Sequence, residues 1–394
     1  MLFSLALIFL LGIFLGDVFE KIRLPSLLGM LLTGMVLGPY MLNILDKSIL
    51  NISTELRQIA LIIILTRAGL NLDIQSLRKS GRPALLLCFL PASIEIAGMI
   101  LIAPLLFKIS LLDAAIMGTV VAAVSPAVVV PRMLNLIEEG YGTGKSIPQM
   151  IMAGSSVDDV FVIVLFTAFT SVAAGKSAGA LQFLQIPSSI VLGVVIGSVV
   201  GMILTHIFTR FHIRDSGKVV IVLSFSFLLV TLEKNFTGNI GFSGLLAVMS
   251  LAAAIQQKKK ELGERLSLKF SKLWVAAEPL LFVLVGATVN IHYGLKAGIP
   301  AVLLIFSVML FRIAGVFLCL VKTKLNKKER LFIVFSYMPK ATVQAAIGGL
   351  PLAMGLSVGD LSLTVAVLSI ILTAPIGAVL IDRSYKKCLT KEKY

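Results

Sequence analysis

The chain has 394 residues, of which 58% are hydrophobic and only 14% charged, with a mean hydropathy of +1.01. No soluble protein of this size carries that balance without exposing large apolar patches, so the bilayer is its expected solvent. The formal charge of +15 does not point to nucleic acid, because the basic residues alternate from loop to loop instead of gathering in one patch.

Apolar runs able to cross about 30 Å of hydrocarbon as helix lie at 2–18, 26–44, 55–72, 83–107, 111–134, 147–173, 188–209, 218–233, 240–256, 274–290, 297–321, 331–355 and 361–381. The chain therefore reads as an all-α integral membrane protein of about thirteen transmembrane helices. Connections are short, the longest running from Gln256 to about Leu273, so 1–394 is expected to form a single transmembrane transporter domain. The first run lacks a basic n-region and ends in Gly16-Asp17, which reads as a span and not as a cleaved leader.

Lys and Arg concentrate in every second loop: Lys21 and Arg23; Arg78, Lys79 and Arg82; Arg132 and Lys145; Arg210, Arg214 and Lys218. The same set continues with Lys258 to Lys272, Lys322 to Arg330 and the basic tail after Ile381. The alternate loops hold only Lys47, Arg57, Lys108, Lys176, Lys234 and Lys296. The positive-inside rule then puts the amino terminus outside and the carboxyl tail in the cytoplasm, which requires an odd number of spans. Cys88, Cys319 and Cys388 form no C-x-x-C pair and the histidines 206, 212 and 292 fall near helix ends, so neither disulfides nor a resident metal is expected.

Two runs are interrupted at mid-depth, the fifth by Ser125-Pro126 and the twelfth by Pro339-Lys340-Ala341-Thr342. The interruptions lie seven helices apart. Because seven is odd, units so related enter the membrane from opposite faces, as in an inverted-topology repeat whose discontinuous helices cross at a midplane ion site. Glu95 in the fourth run and Arg312 in the eleventh show the same offset and are expected to pair.

Ionisable groups in the bilayer core cost several kcal/mol unless paired or hydrated, and so carry functional expectations. Asp158 and Asp159 lie about 16 Å into the sixth run at 1.5 Å per residue, near the bilayer centre. Neighbouring helical residues are about 100° apart, so the two carboxylates face different partners. A carboxylate in a partly hydrated cavity holds its proton more tightly than one in water, so proton and hard cation compete for it. That competition is the minimal chemistry of an antiporter. Ser125, Ser155 and Thr342 are the expected oxygen ligands beside the aspartates. Lys340 is expected either to balance the half-helix dipoles at the break or to contact Asp158. Arg67 lies within reach of the interface, where its stem can snorkel.

Arg67-Ala68-Gly69-Leu70 followed by Asp73, the Ser125-Pro126 break, the Asp158-Asp159 pair and the octapeptide Pro339-Lys340-Ala341-Thr342-Val343-Gln344-Ala345-Ala346 resemble the cation/proton antiporter superfamily, in particular its NHA branch of Na+/H+ antiporters. The resemblance spans nearly the whole chain. It implies a plasma-membrane exchanger of Na+ or Li+ for protons, serving pH homeostasis and salt tolerance. It further implies a homodimer, with a dimerisation subdomain and a mobile six-helix core, including about 83–173 and 297–381, that moves in an elevator-like step. By position Asp159 becomes the principal carrier of ion and proton, Asp158 its accessory carboxylate, and Ser125 the residue at the crossing. Electrogenic relatives place a lysine where this chain has Arg312. Arginine stays protonated at any accessible pH, so Arg312 cannot release a proton, and Glu95 offers it a permanent counter-ion.

Other classes fit less well. An intramembrane aspartyl protease needs a G-x-G-D motif that is absent, and no G-x-x-x-x-G-K nucleotide loop appears, so neither an enzyme nor a cofactor is expected. A channel needs a continuous pore in place of a single acidic site. A K+/H+ antiporter on the same fold, or an ion-coupled symporter, is the alternative. Membrane lipid, anionic where it meets the basic loops, is an expected partner.

Overall fold

The computed structural model describes residues 1–72, 81–173, 180–235 and 242–392. Asp73 of the Arg67 motif, Arg78, Lys79 and Lys176 lie outside them. The described residues are helical throughout, with no strand beyond an isolated bridge between Tyr141 and Lys391.

In chain order the helices are α1 (Leu2–Lys21), α2 (Ser26–Leu37), α3 (Lys47–Asn51), α4 (Ser53–Leu70), α5 (Gly81–Leu87), α6 (Leu90–Phe107), α7 (Leu111–Ala122), α8 (Pro126–Glu138) and α9 (Ile147–Ala173). They continue as α10 (Ala180–Arg210), α11 (Asp215–Asn235), α12 (Gly244–Lys258), α13 (Lys260–Thr288), α14 (Ile291–Cys319), α15 (Lys327–Ser336), α16 (Thr342–Ile347), α17 (Leu350–Ala353) and α18 (Gly359–Cys388). Each of the expected apolar runs contains helix, although 26–44 is helical only over Ser26–Leu37 and the fifth and twelfth runs are broken. Among the described residues nine helical stretches are long and apolar enough to cross a membrane unaided. The remaining runs are short (α2, α12), charged (α4) or broken (α15 to α17).

The stretch 256–273, expected as the longest loop, is helix on both sides of Lys259. Leu262, Leu266 and Phe270 recur every four residues and are buried, while Glu264, Arg265 and Lys269 between them are exposed. An amphipathic helical period therefore continues the span where the high charge of the segment had suggested a loop.

The helices form two compact units. One comprises Met1–Thr54, Ile74–Val162 and Phe282–Tyr394, and the other Glu55–Asp73 and Ile163–Leu281. In the second, Gly197 and Gly201 lie one turn apart on α10, against the backbone of α12 at Ala247 and Leu251. Small residues at that spacing let two helices approach closely in lipid, where dispersion and not hydrophobicity drives association. Asp215 joins the basic loops on either side of this unit by accepting from Lys218 and Arg265, each at 3.1 Å.

In the first unit α6 and α14 approach closely. A Cβ on Gly98 would lie 2.5 Å from the Phe311 ring, and one on Gly315 2.8 Å from Pro91 Cα. Loops expected on one face of the membrane meet one another. Lys145 pairs with Glu329 at 2.9 Å, Arg132 with Asp382 at 3.0 Å, and Thr390 accepts from Gly142 N–H at 2.9 Å. At the opposite end Ser357 donates to Asp113 at 3.3 Å, and Asp46 caps α3 and accepts from the terminal amine at 3.0 Å. The alternation of basic loops is thus reproduced by the packing of this unit.

Candidate functional site

Proline makes both breaks. Pro126 has no N–H to give and forces the residue before it out of the helical region, so α7 stops at Ala122, Ala123 and Ser125 are extended, and α8 restarts on Pro126. Pro339 does the same between α15 and α16. The two breaks touch: Ser125 N–H donates to the Pro339 carbonyl at 2.8 Å. Gly377 on α18 leaves room for the Pro339 ring. The fold is therefore the one expected, an inverted pair of discontinuous helices crossing at mid-chain depth.

At such a crossing two half-helices end with unsatisfied carbonyls, an electronegative pole that attracts cations. Arg312 meets both. Its Nε donates to the Tyr337 carbonyl at 2.6 Å, and Nη1 donates to the Ala122 carbonyl. Its guanidinium also lies 5.6 Å from the centre of the Tyr337 ring. Lys340 reaches the same Ala122 carbonyl at 3.3 Å.

Each of these cations has an acid. Glu95 accepts from Arg312 Nη1 at 2.8 Å and from Lys340 Nζ at 2.8 and 2.6 Å. Asp158 Oδ2 accepts from Arg312 Nη2 and from Val124 N–H, both at 2.9 Å. All four side chains are 1% exposed or less. The expected Glu95–Arg312 pair is present. Of the two roles open to Lys340, the structure shows the first: it serves a half-helix end and pairs with Glu95. Arg312, not Lys340, is the cation on Asp158. Charges so deeply buried are tolerable only because each is paired and hydrogen-bonded.

Asp159 differs from the rest. It lies about 100° around the helix from Asp158, has no ion pair among the described residues, and is 9% exposed. Its Oδ1 has no hydrogen-bond partner; nor have Asp158 Oδ1, Ser125 Oγ and Thr342 Oγ1. Ser125 is the residue before α8 and Thr342 the first of α16, so these oxygens belong to the breaks themselves. Ser155, one turn before Asp159, donates to the Met152 carbonyl at 3.1 Å and keeps its lone pairs free. A set of buried oxygen acceptors suits a hard monovalent cation better than a transition metal.

A family model for the transmembrane region of sodium/hydrogen exchangers matches residues 5–383. The chain belongs to the sodium/hydrogen exchanger family. It is 35% identical to sodium/hydrogen exchanger 9B2 of Mus musculus over 420 residues, covering 100% of this chain and 75% of that protein. It is 33% identical to sodium/hydrogen exchanger 9B1 of Homo sapiens over 420 residues, covering 99% of this chain and 78% of that one. In fold this exchanger matches the structure of the sodium proton antiporter MjNhaP1 from Methanocaldococcus jannaschii at pH 8, with a TM-score of 0.83, 21% identity and 97% of both chains covered.

Three features of the exchanger's site escape sequence reading. Gln344 donates from Nε2 to the carbonyls of Val121 at 3.0 Å and Ala123 at 2.9 Å. Thr373 accepts the Lys340 N–H at 3.0 Å. Tyr337 presents its hydroxyl, buried and unpartnered, to Gly154. Only Gln344 carried a signal, as a buried-type amide two residues beyond Thr342 in an interrupted apolar run.

Proposed function

We propose that this protein is a secondary active exchanger of Na+ or Li+ for protons, with cation and proton competing for Asp159. Asp158 is the accessory carboxylate, and Ser125, Ser155 and Thr342 supply further oxygens. The observation that carries this reading is the contrast between Asp159 and its neighbours. Four buried charges neutralise one another, and the fifth is left free to take a proton or a hard cation.

The rest of the reading extends the resemblance and the loop-charge pattern. The protein works as a homodimer in the cell membrane, amino terminus outside and carboxyl tail in the cytoplasm, and alternates access by an elevator-like step of a core carrying the crossing. It involves no covalent chemistry and no resident cofactor. The basic loops meet anionic lipid headgroups.

The test is exchange in liposomes. An imposed proton gradient is followed by luminal pH dequenching on addition of Na+, Li+ or K+, wild type beside Asp159→Asn. Collapse by Na+ or Li+ in wild type alone supports the reading. Collapse by K+ alone moves the assignment to K+/H+ antiport, and no Asp159-dependent response to any cation sinks it in favour of a symporter.

A further inference from the structure

Gln344 is fully buried, and its side chain spans the crossing from α16 to the end of α7. Both partners of its nitrogen, the carbonyls of Val121 and Ala123, are backbone acceptors. They fix the orientation of the amide, since the flipped form would set three carbonyl oxygens against one another. The oxygen Oε1 is therefore the atom left without a partner.

The carbonyl of Ala123 and the N–H of Val124 belong to one peptide group. That N–H donates to Asp158 Oδ2 at 2.9 Å. Gln344, this peptide and the Asp158 carboxylate thus form a single hydrogen-bonded relay. Donation into a peptide carbonyl polarises the N–H at its other end, so each bond strengthens the next. The relay starts on one discontinuous helix, passes through the break of the other and ends on the accessory carboxylate.

We propose that Gln344 is a positioning residue for Asp158: by holding the Ala123–Val124 peptide it fixes the carboxylate in the geometry the transported ion needs. The inference rests on exchange through Asp159. It is separate from the ion pairs, because Gln344 touches none of Glu95, Arg312 and Lys340 and acts only through backbone. Losing the Gln344 donation frees the Ala123–Val124 peptide to tilt, so the Val124 N–H no longer holds the carboxylate in one orientation beside its Arg312 contact. A purely structural tie between two helices predicts lower stability with unchanged ion affinity. The relay predicts a change in ion affinity and in its pH dependence.

The charged groups that share Asp158's surroundings are Arg312 from α14, Lys340 from the second break, Glu95 from α6 through Arg312, and Asp159 on its own helix, with Tyr337, Cys88 and Cys319 as titratable neighbours. None changes in the two Gln344 variants. Gln344→Met preserves length and bulk but donates nothing. Gln344→Glu donates only when protonated, so its relay is restored as pH falls.

Both variants, wild type and Asp159→Asn are reconstituted, and exchange is measured against Na+ concentration between pH 6 and 8.5. Thermal unfolding with and without Na+ is read on the same samples. In Gln344→Met the half-saturating Na+ concentration is expected to rise several-fold, roughly tenfold at most, as the Val124 N–H bond to the Asp158 carboxylate is weakened, and Na+ stabilises the protein less. In Gln344→Glu the ratio of variant to wild-type rate is expected to climb as pH falls. A Gln344→Met protein with half-saturation within twofold of wild type and a superimposable pH profile overturns the proposal. If that variant does not fold, a pH-independent rate ratio for Gln344→Glu overturns it instead. A wild type with neither Asp159-dependent exchange nor Na+ stabilisation defeats the exchange reading itself, an outcome distinct from a defect confined to Gln344.

Discussion

Glu95→Gln keeps the shape of the side chain and removes the anion shared by two buried cations. Arg312 and Lys340 then face Asp158 as the only acid in their network, and one positive charge is left uncompensated at a position 1% exposed. Breaking a buried ion pair from one side costs about 3–5 kcal/mol. With an unfolding entropy of about 2.1 cal/mol/K per residue over 394 residues, that loss lowers Tm by about 5 °C. The assay is thermal unfolding of the purified protein in detergent, followed by loss of the monodisperse peak. Adding Lys340→Met to Glu95→Gln removes the surplus charge, so the double variant is expected to regain at least half of the lost Tm, a non-additivity read from the double-mutant cycle. A single variant within about 1 °C of wild type, or a double variant that falls by the sum of the two singles, refutes the account of the network.

Gly98→Val sets a side chain where the Phe311 ring leaves no space for a Cβ. Overpacking of this kind costs about 1–3 kcal/mol, and relief by separating α6 from α14 also parts Glu95 from Arg312; reduced exchange with partial rescue by Phe311→Ala is the expected result. Asp46 gives a pH dependence with a defined sign. Its carboxyl is pulled from 3.8 to about 2, first by the Ser48 N–H and then by the terminal amine. A depressed folded-state value means stabilisation that is complete above the unfolded value and lost as pH falls through about 2. The Tm difference between wild type and Asp46→Ala should therefore narrow between pH 4 and 2, and a constant difference contradicts the cap.

The crossing was legible because proline joined to polar residues interrupts two otherwise apolar runs at mid-depth, whereas Pro300 and Pro375, with apolar residues on either side, sit inside continuous helices. The site was legible for a related reason: Asp158, Asp159, Glu95, Arg312 and Lys340 stand out in hydrocarbon. What stayed hidden was who pairs with whom. Spacing could not tell whether Lys340 serves a half-helix end or Asp158, and it gave no sign of the Lys340–Glu95 pair, which depends on how α6 approaches α14 and the second break. The approach is set by Gly98 and Gly315, whose contacts lie more than two hundred residues apart in sequence. Gln344 was visible in the octapeptide, but its role was not, because both its partners are backbone atoms, which leave no mark in composition. The helix through Lys260–Leu273 was missed because charge density overrode a weaker amphipathic period.

Glu95, Asp158, Arg312 and Lys340 carry two charges of each sign, so their sum is zero and Asp159 alone determines the net charge of the crossing. Vacant, it presents one negative charge to a low-dielectric barrier; holding either a proton or a Na+ ion, it is neutral. Moving a bare charge through hydrocarbon costs several kcal/mol, and moving a neutralised one does not. Under the proposed exchange through Asp159 the same balance of charges would act as a check valve: the site would cross when loaded and be held back when empty, giving one-for-one traffic. Turnover is then expected to ignore membrane voltage, and a rate unchanged by valinomycin under an imposed potassium diffusion potential is the sign to look for.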